Sequence, residues 1–200
     1  SHTAESIFEV VTRQNAVGPN WKNPTNPQHQ QAFASVVDAG RGLVVGNIGL
    51  NEYEVGKKGG YLAVTLLRCV GEMGDWGYFE THDSQCLGAF TADLSIAFTD
   101  GSQREQLLAQ QAARAAQIPV ISGAVDSQQV GKQKPSGTYL TVSDPIFAVT
   151  ATKMAGQQLI VRGYNMTGQK TPLAVKHDGF VADQLLDLVD QPLKQPVTGE

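Results

Sequence analysis

Glycine and proline interrupt this chain throughout, with 21 of the one and 9 of the other scattered over 200 residues. Proline lacks the amide hydrogen that a helix interior or a central strand needs, and glycine marks turns. Such punctuation favours many short strands over long helices. One uninterrupted window carries helix signals instead. Ser102 and Glu105 form a capping box just after Asp100-Gly101, Leu107, Leu108, Ala112, Ala115 and Ala116 supply an apolar stripe, and Pro119 stops the pattern. This predicts a single helix near 103–117, with its alanine-rich face set close against a sheet.

The remaining apolar runs are strand-length. Glu5–Arg13 reads as one strand. Ala32–Asp38 and Leu43–Asn47 read as a hairpin about the turn Ala39-Gly40-Arg41-Gly42, and Glu52–Val55 with Tyr61–Val70 as a second one about Lys57–Gly60. Cys86–Phe98 follows as another strand. Beyond the helix come Tyr139–Val142, Ile146–Met154 and Gln157–Tyr164, the last two joined at Ala155-Gly156, with Leu173–Val175 as a further candidate. Val181–Leu193 carries apolar residues near helical spacing but many aspartates, and its type stays open. The proline-rich Gln14–Gln31 is a long loop for which Trp21 is the natural anchor. Asp126–Gly137, polar and broken by glycine and proline, reads as a linker. The domain reading is therefore 1–125 as a β-sandwich portion with its helix, 126–137 as linker, and 138–200 as a small C-terminal β-domain. Gly42, Gly46 and Gly49 superficially suggest a dinucleotide loop, but their spacing is wrong and no βαβ unit surrounds them.

A formal net charge of -4, with no basic cluster larger than Lys57-Lys58, argues against nucleic acid or an anionic membrane as the main partner. No apolar run approaches the roughly 20 residues that cross a bilayer. The N-terminus lacks signal-peptide features and an initial methionine, which reads as a piece of a longer chain with Ser1-His2 left by a tag. Two cysteines, Cys69 and Cys86, are too few for a disulfide framework, and both sit in apolar strand contexts. The expectation is two buried free thiols in a reducing, cytoplasmic compartment.

The stretch Tyr61–Phe98 is where a site is expected. Its loop, Gly71–Gln85, concentrates Glu72, Asp75, Trp76, Tyr78, Glu80, His82 and Asp83 between two apolar runs. The four histidines are scattered, and neither HExxH nor CxxC occurs, so no zinc motif is present. No G-x-S-x-G elbow exists either. Glu72, Asp75, Glu80 and Asp83 are carboxylate candidates for glycosidic chemistry by crowding only. Arg68 falls inside a run that should be buried, and arginine is seldom buried unpaired. It either ends the strand in a pair with Glu72 or Asp75 or faces a polar pocket. Trp76, Tyr78 and Phe79 suit stacking on a sugar or pinning the loop to another domain.

The motifs NIGLNEYEV (Asn47–Val55) and LAVTLLRCVGEMGDWGYFETHDSQCLGAFTADLSI (Leu62–Ile96) resemble the C-terminal region of glycoside hydrolase family 38, the class II α-mannosidases, with the bacterial members closest. WKNP (Trp21–Pro24), QQAFASVVD (Gln30–Asp38), AAQIPV (Ala115–Val120) and SDPIFAVTATKMAGQQLIVRGYNMTG (Ser143–Gly168) follow the same family in order. The resemblance implies a mainly β chain: part of a large mannosidase-type sandwich with one packed helix, then a small C-terminal β-domain. It also implies that the nucleophile, the acid and the zinc ligands of a retaining α-mannosidase belong to an N-terminal barrel outside this chain. No catalytic or metal residue is then expected here, zinc is a cofactor of the absent domain, and the partners are that barrel and an α-mannoside. The segment Arg68–Gly77 runs towards the active-site side in the family, which makes Arg68, Asp75 and Trp76 candidate substrate contacts. Eukaryotic relatives carry a different pattern at these positions. An autonomous carbohydrate-binding sandwich using Trp21 or Trp76 is the alternative, and a homo-oligomer is left open.

Overall fold

The computed structural model describes residues 1–15, 19, 27–58, 60–74, 78–124, 126–127, 131 and 134–196. It is mainly β with one α-helix among those residues, and it divides into two compact units, Ser1–Pro119 and Val120–Glu200.

The first unit opens with a hairpin where one strand was expected. β1 (His2–Ser6) and β2 (Glu9–Arg13) pair with Ser6 opposite Glu9, which leaves only Ile7 and Phe8 to turn the chain. Phe8 adopts φ +57°, a conformation usually given to glycine or asparagine, and no local signal announces it. β3 (Gln28–His29) is followed by the expected hairpin of β4 (Phe33–Asp38) and β5 (Arg41–Asn47). Ala39 and Gly40 turn it, both with positive φ, as the tight hairpin turn requires. β6 (Glu52–Val55) pairs with β7 (Leu62–Val64), which ends well before Val70. β8 (Glu72–Met73) and β9 (Phe79–Glu80) form a short ladder. β10 is confined to Leu94–Thr99, so most of the run from Cys86 is not strand. α1 spans Gln103–Ala116, capped by Ser102 Oγ, which accepts from the Glu105 amide at 3.3 Å.

Two sheets face each other. One has the order β10-β5-β4-β1-β2, the other β3-β6-β7. Between them lie Ala4, Ala34, Tyr53 and Val55, with Val36, Leu62 and Val64 packed at the margin. The opposite face of the five-stranded sheet carries α1. A Cβ on Gly46 would stand 2.6 Å from Ala113 Cβ, and one on Gly42 would stand 1.7 Å from Gln106 Nε2. These glycines let the helix lie against the strand backbone, which is the physical reason for two of the three glycines that superficially suggested a nucleotide loop; Gly49 has open space around it and a positive φ.

The helix is rotated from its predicted face. Gln106, Leu107, Gln110 and Ala113 are the buried side chains, while Leu108 and the alanines at 112, 115 and 116 face outward. The sheet beneath presents polar groups, and hydrogen bonds set the rotation. Gln106 Nε2 donates to Thr99 Oγ1 at 2.6 Å, and Gln110 Nε2 donates to Ser35 Oγ, itself 2.6 Å from Thr3 Oγ1. Arg114 pairs with the buried carboxylate of Glu5, which also accepts the Ala32 amide at 3.0 Å.

The second unit consists of paired strands. β11 (Leu140–Val142) pairs with β14 (Val175–His177), and β12 (Phe147–Ala155) with β13 (Gln158–Asn165) about Gly156. The ambiguous 181–193 region contributes no helix; it holds β15 (Gln184–Leu186) and the start of β16 (Pro192–Pro196). Ile146, Ala148, Tyr164 and Met166 are the buried apolar residues. Asp190, in the β15–β16 turn, binds both Lys153 and Arg162, which locks that turn onto the β12–β13 ladder.

Candidate functional site

The stretch singled out from the sequence leaves β6 and β7 and crosses the surface of the first unit. Arg68 lies beyond the end of β7 rather than ending it, and its partner is Glu52 of β6, 16 residues earlier, at 2.5 Å, rather than the Glu72 or Asp75 expected; its side chain is 62% exposed. Glu52 also accepts from Thr65 Oγ1 at 2.7 Å. The Arg68 hydrogen bond, with Thr65 second, holds the Glu52 carboxyl below the usual carboxylate range, and Glu52 in turn raises the Arg68 guanidinium further. A β6 partner could not be read from spacing, because only the β6–β7 register brings Glu52 alongside the chain leaving β7. Asp75 and Trp76 lie outside the described residues, as does Trp21, so Arg68 is the candidate contact whose position is defined.

The loop is closed on itself by backbone and hydroxyl bonds. Thr81 N–H donates to Gly71 O at 3.0 Å, Thr81 and Ser84 hydroxyls both donate to Val70 O, and Ser84 Oγ lies 2.8 Å from Thr81 O. The β8–β9 ladder sets Glu72 opposite Glu80 and Met73 opposite Phe79. Like charges so placed repel, and Glu80 turns to His82 Nε2 at 2.8 Å, with both side chains largely in water. Among the described residues, no three of His, Cys, Asp and Glu converge to hold a metal ion. This donor set does not fit zinc, which needs three or four convergent ligands. The two cysteines are free, and both are exposed rather than buried. The strands expected to bury them stop at Val64 and start at Leu94.

Sequence reasoning missed a second polar cluster, where β1, β2, β3 and β6 meet. Arg13 donates to the His29 carbonyl at 2.8 Å and to the Tyr53 hydroxyl at 3.0 Å, and its guanidinium also lies 3.0 Å from His29 Nε2. His2 sits edge-on to the Tyr53 ring, with Nδ1 3.1 Å from Asn15 Oδ1. Burial pushes the His2 ring below, and the Tyr53 hydroxyl above, their ordinary ranges. The cluster seals one end of the sandwich. Its members are spread from His2 to Tyr53, so only the pairing of strands assembles it.

No protein-family model matches the chain. The solved structure of an α-mannosidase from Enterococcus faecalis V583 superposes with a TM-score of 0.85 at 44% identity, over 98% of this chain and 22% of that one. A protein of glycosyl hydrolase family 38 from Enterococcus faecalis gives 0.83 at 42% identity, over 98% of this chain and 23% of that one. A Halalkalibacterium halodurans protein with the provisional name mannosylglycerate hydrolase is 35% identical over 184 residues, which are 90% of this chain and 20% of the relative. The chain thus spans about a fifth of the length of these relatives, and the resemblance to the C-terminal region of bacterial family 38 proteins holds along nearly all of it.

Proposed function

We propose that this chain, related along nearly its whole length to one region of the family 38 α-mannosidases, serves as the non-catalytic β-region of such an enzyme. The parent hydrolyses α-linked mannosides in the cytoplasm, and the region packs on the catalytic barrel and shapes the mouth of its active site. The observation that carries the reading is the asymmetry of coverage: 98% of this chain against 22% of an α-mannosidase at 44% identity.

The chemistry belongs to the rest of the parent. A retaining glycosidase needs two carboxyl groups held about 5 Å apart across the scissile bond, and the family resemblance assigns these and zinc to the barrel. The role left to these residues is to support and to contact. In this reading Arg68, Asp75 and Trp76 are the candidate substrate contacts. Arg68, held by Glu52, offers a positioned donor to sugar hydroxyls. Residues 126–137 act as the linker between the sandwich portion and the small β-domain.

An aryl α-mannoside assay tests the proposal. The whole parent turns over the substrate, and the 200-residue chain does not. Turnover by purified 200-residue chain, or a reading frame before Ser1 that encodes no barrel with His and Asp ligands, would overturn it.

A further inference from the structure

The two sheets of the first unit are unequal, and the mismatch falls on one side. Residues paired across the five-stranded sheet share a face, so two rows can be followed strand by strand. One runs Ile96, Val45, Ala34, Ala4, Val11, and the other runs Phe98, Leu43, Val36, His2, Arg13. In the first, Ala4 and Ala34 are fully buried and Val45 nearly so, yet Ile96 is 65% exposed; in the second, Phe98 is 84% exposed. Leu94, on the same face of β10, is also exposed.

The second sheet explains where cover ends. Its β3 lies by β1 and β2, since Arg13 and Ser6 both reach His29. Its β6 supplies Tyr53 and Val55 to the core over Ala4 and Ala34, and β7 adds Leu62 and Val64 at the margin. In this progression the next place in the layer, beyond β7, lies over β5 and β10. Among the described residues no strand fills it. β7 is prepared for a neighbour. Thr65 N–H donates to Glu52 O and Gly56 N–H to Tyr61 O, which in the antiparallel register directs Ala63 at β6 and turns the Leu62 and Val64 amides outward. A strand edge that no described residue pairs, beside an apolar face that no described residue covers, has the form of an interface.

We propose that strands from the parent protein outside these 200 residues join the free edge of β7 and cover Leu43, Leu94, Ile96 and Phe98. The inference rests on the proposed function above. The parent chain is the occupant because the relatives carry this region inside proteins four to five times its length, the chain being only 20–23% of each.

The test uses the full-length parent, with Phe98→Cys and, as an exposed control, Lys58→Cys. Maleimide labelling of each site is followed by peptide mass spectrometry. Labelling at position 98 is expected to be about 100-fold or more slower than at 58, because a covered thiol reacts only through opening. Hydrogen exchange on the unmodified parent reads the same interface, with the Leu62 and Val64 amides protected. Equal labelling rates, or Leu62 and Val64 amides that exchange as fast as an unpaired edge, overturn the inference. Protection that vanishes on dilution also overturns it, since the occupant is then a second copy. If the parent hydrolyses α-mannosides and position 98 still labels freely, this inference fails while the functional reading stands; a parent without that activity sinks the functional reading whatever the labelling shows.

Discussion

Replacing Arg114 by alanine tests how α1 is held to its sheet. Glu5 is 2% exposed and Arg114 15% exposed, so the pair sits at the inner edge of the helix–sheet contact, with Glu5 effectively removed from water. Removing one member of a buried ion pair strands the other charge, at a typical cost of about 3–5 kcal/mol. Some water reaches the arginine position, which argues for the lower end. For a unit of this size that corresponds to a fall in unfolding midpoint of about 10 °C or more. Calorimetry and urea unfolding of the 200-residue chain measure it, and the urea slope should stay constant while the midpoint moves. The decisive comparison is the double variant Glu5→Gln with Arg114→Met, which removes both charges and keeps an acceptor for the Ala32 amide. If the large loss comes from a stranded charge, removing both charges restores most of it. A double variant as unstable as Arg114→Ala would refute the reasoning, as would an Arg114→Ala loss below about 1 kcal/mol, the size of an exposed pair.

Gly46→Ala should destabilise more than Gly42→Ala, with about 1–3 kcal/mol for the former by overpacking. At Gly46 the new Cβ meets Ser95 and the Ala113 backbone, whereas at Gly42 its nearest neighbour is the movable end of Gln106. Equal losses in urea unfolding would count against the close helix seat. Ser102→Ala removes the cap that accepts the Glu105 amide and should cost about 1 kcal/mol, whereas Ser102→Asp should keep most of it. The Glu52 carboxyl is depressed in the folded state, so its contribution is fully present above its unfolded pKa and is lost as pH falls through the folded one. The midpoint difference between the native chain and Glu52→Gln should therefore shrink on acidification through the carboxylate range; a difference independent of pH would refute the pairing with Arg68.

Features that depend on neighbours in the chain were legible. The capping box, Pro119 and the Ala39-Gly40 turn act over a few residues, and they placed α1 and the β4–β5 hairpin. The helix face was not legible. Counting apolar residues put alanines inward, but the sheet surface is Thr3, Ser35 and Thr99, and glutamines find hydrogen bonds there that alanines cannot make. The β1–β2 turn escaped because Phe8 carries the positive φ without glycine. At the candidate site, the density of aromatics and carboxylates is what the sequence offers, and it is a feature of composition and not of geometry. The partner of Arg68 was not legible, because it comes from another strand.

The same physics separates the two faces of the five-stranded sheet. Towards α1 the contacts are directional: a Thr3–Ser35–Gln110 chain, a Gln106–Thr99 bond and the Glu5–Arg114 pair each accept one helix rotation and height. Such an interface must be complete to be favourable, since every unpaired member carries a desolvation cost. All its members therefore come from one short chain, and it closes locally. The opposite face is apolar at Ile96 and Phe98, where burial is nearly non-directional and scales with area. A face of that kind can wait for its cover without leaving polar groups unpaired. On the proposal above, Leu94, Ile96 and Phe98, which read as core in the sequence and are exposed in this chain, belong to a layer that strands of the parent would complete, and these three apolar side chains hold no polar group that waits unpaired for them.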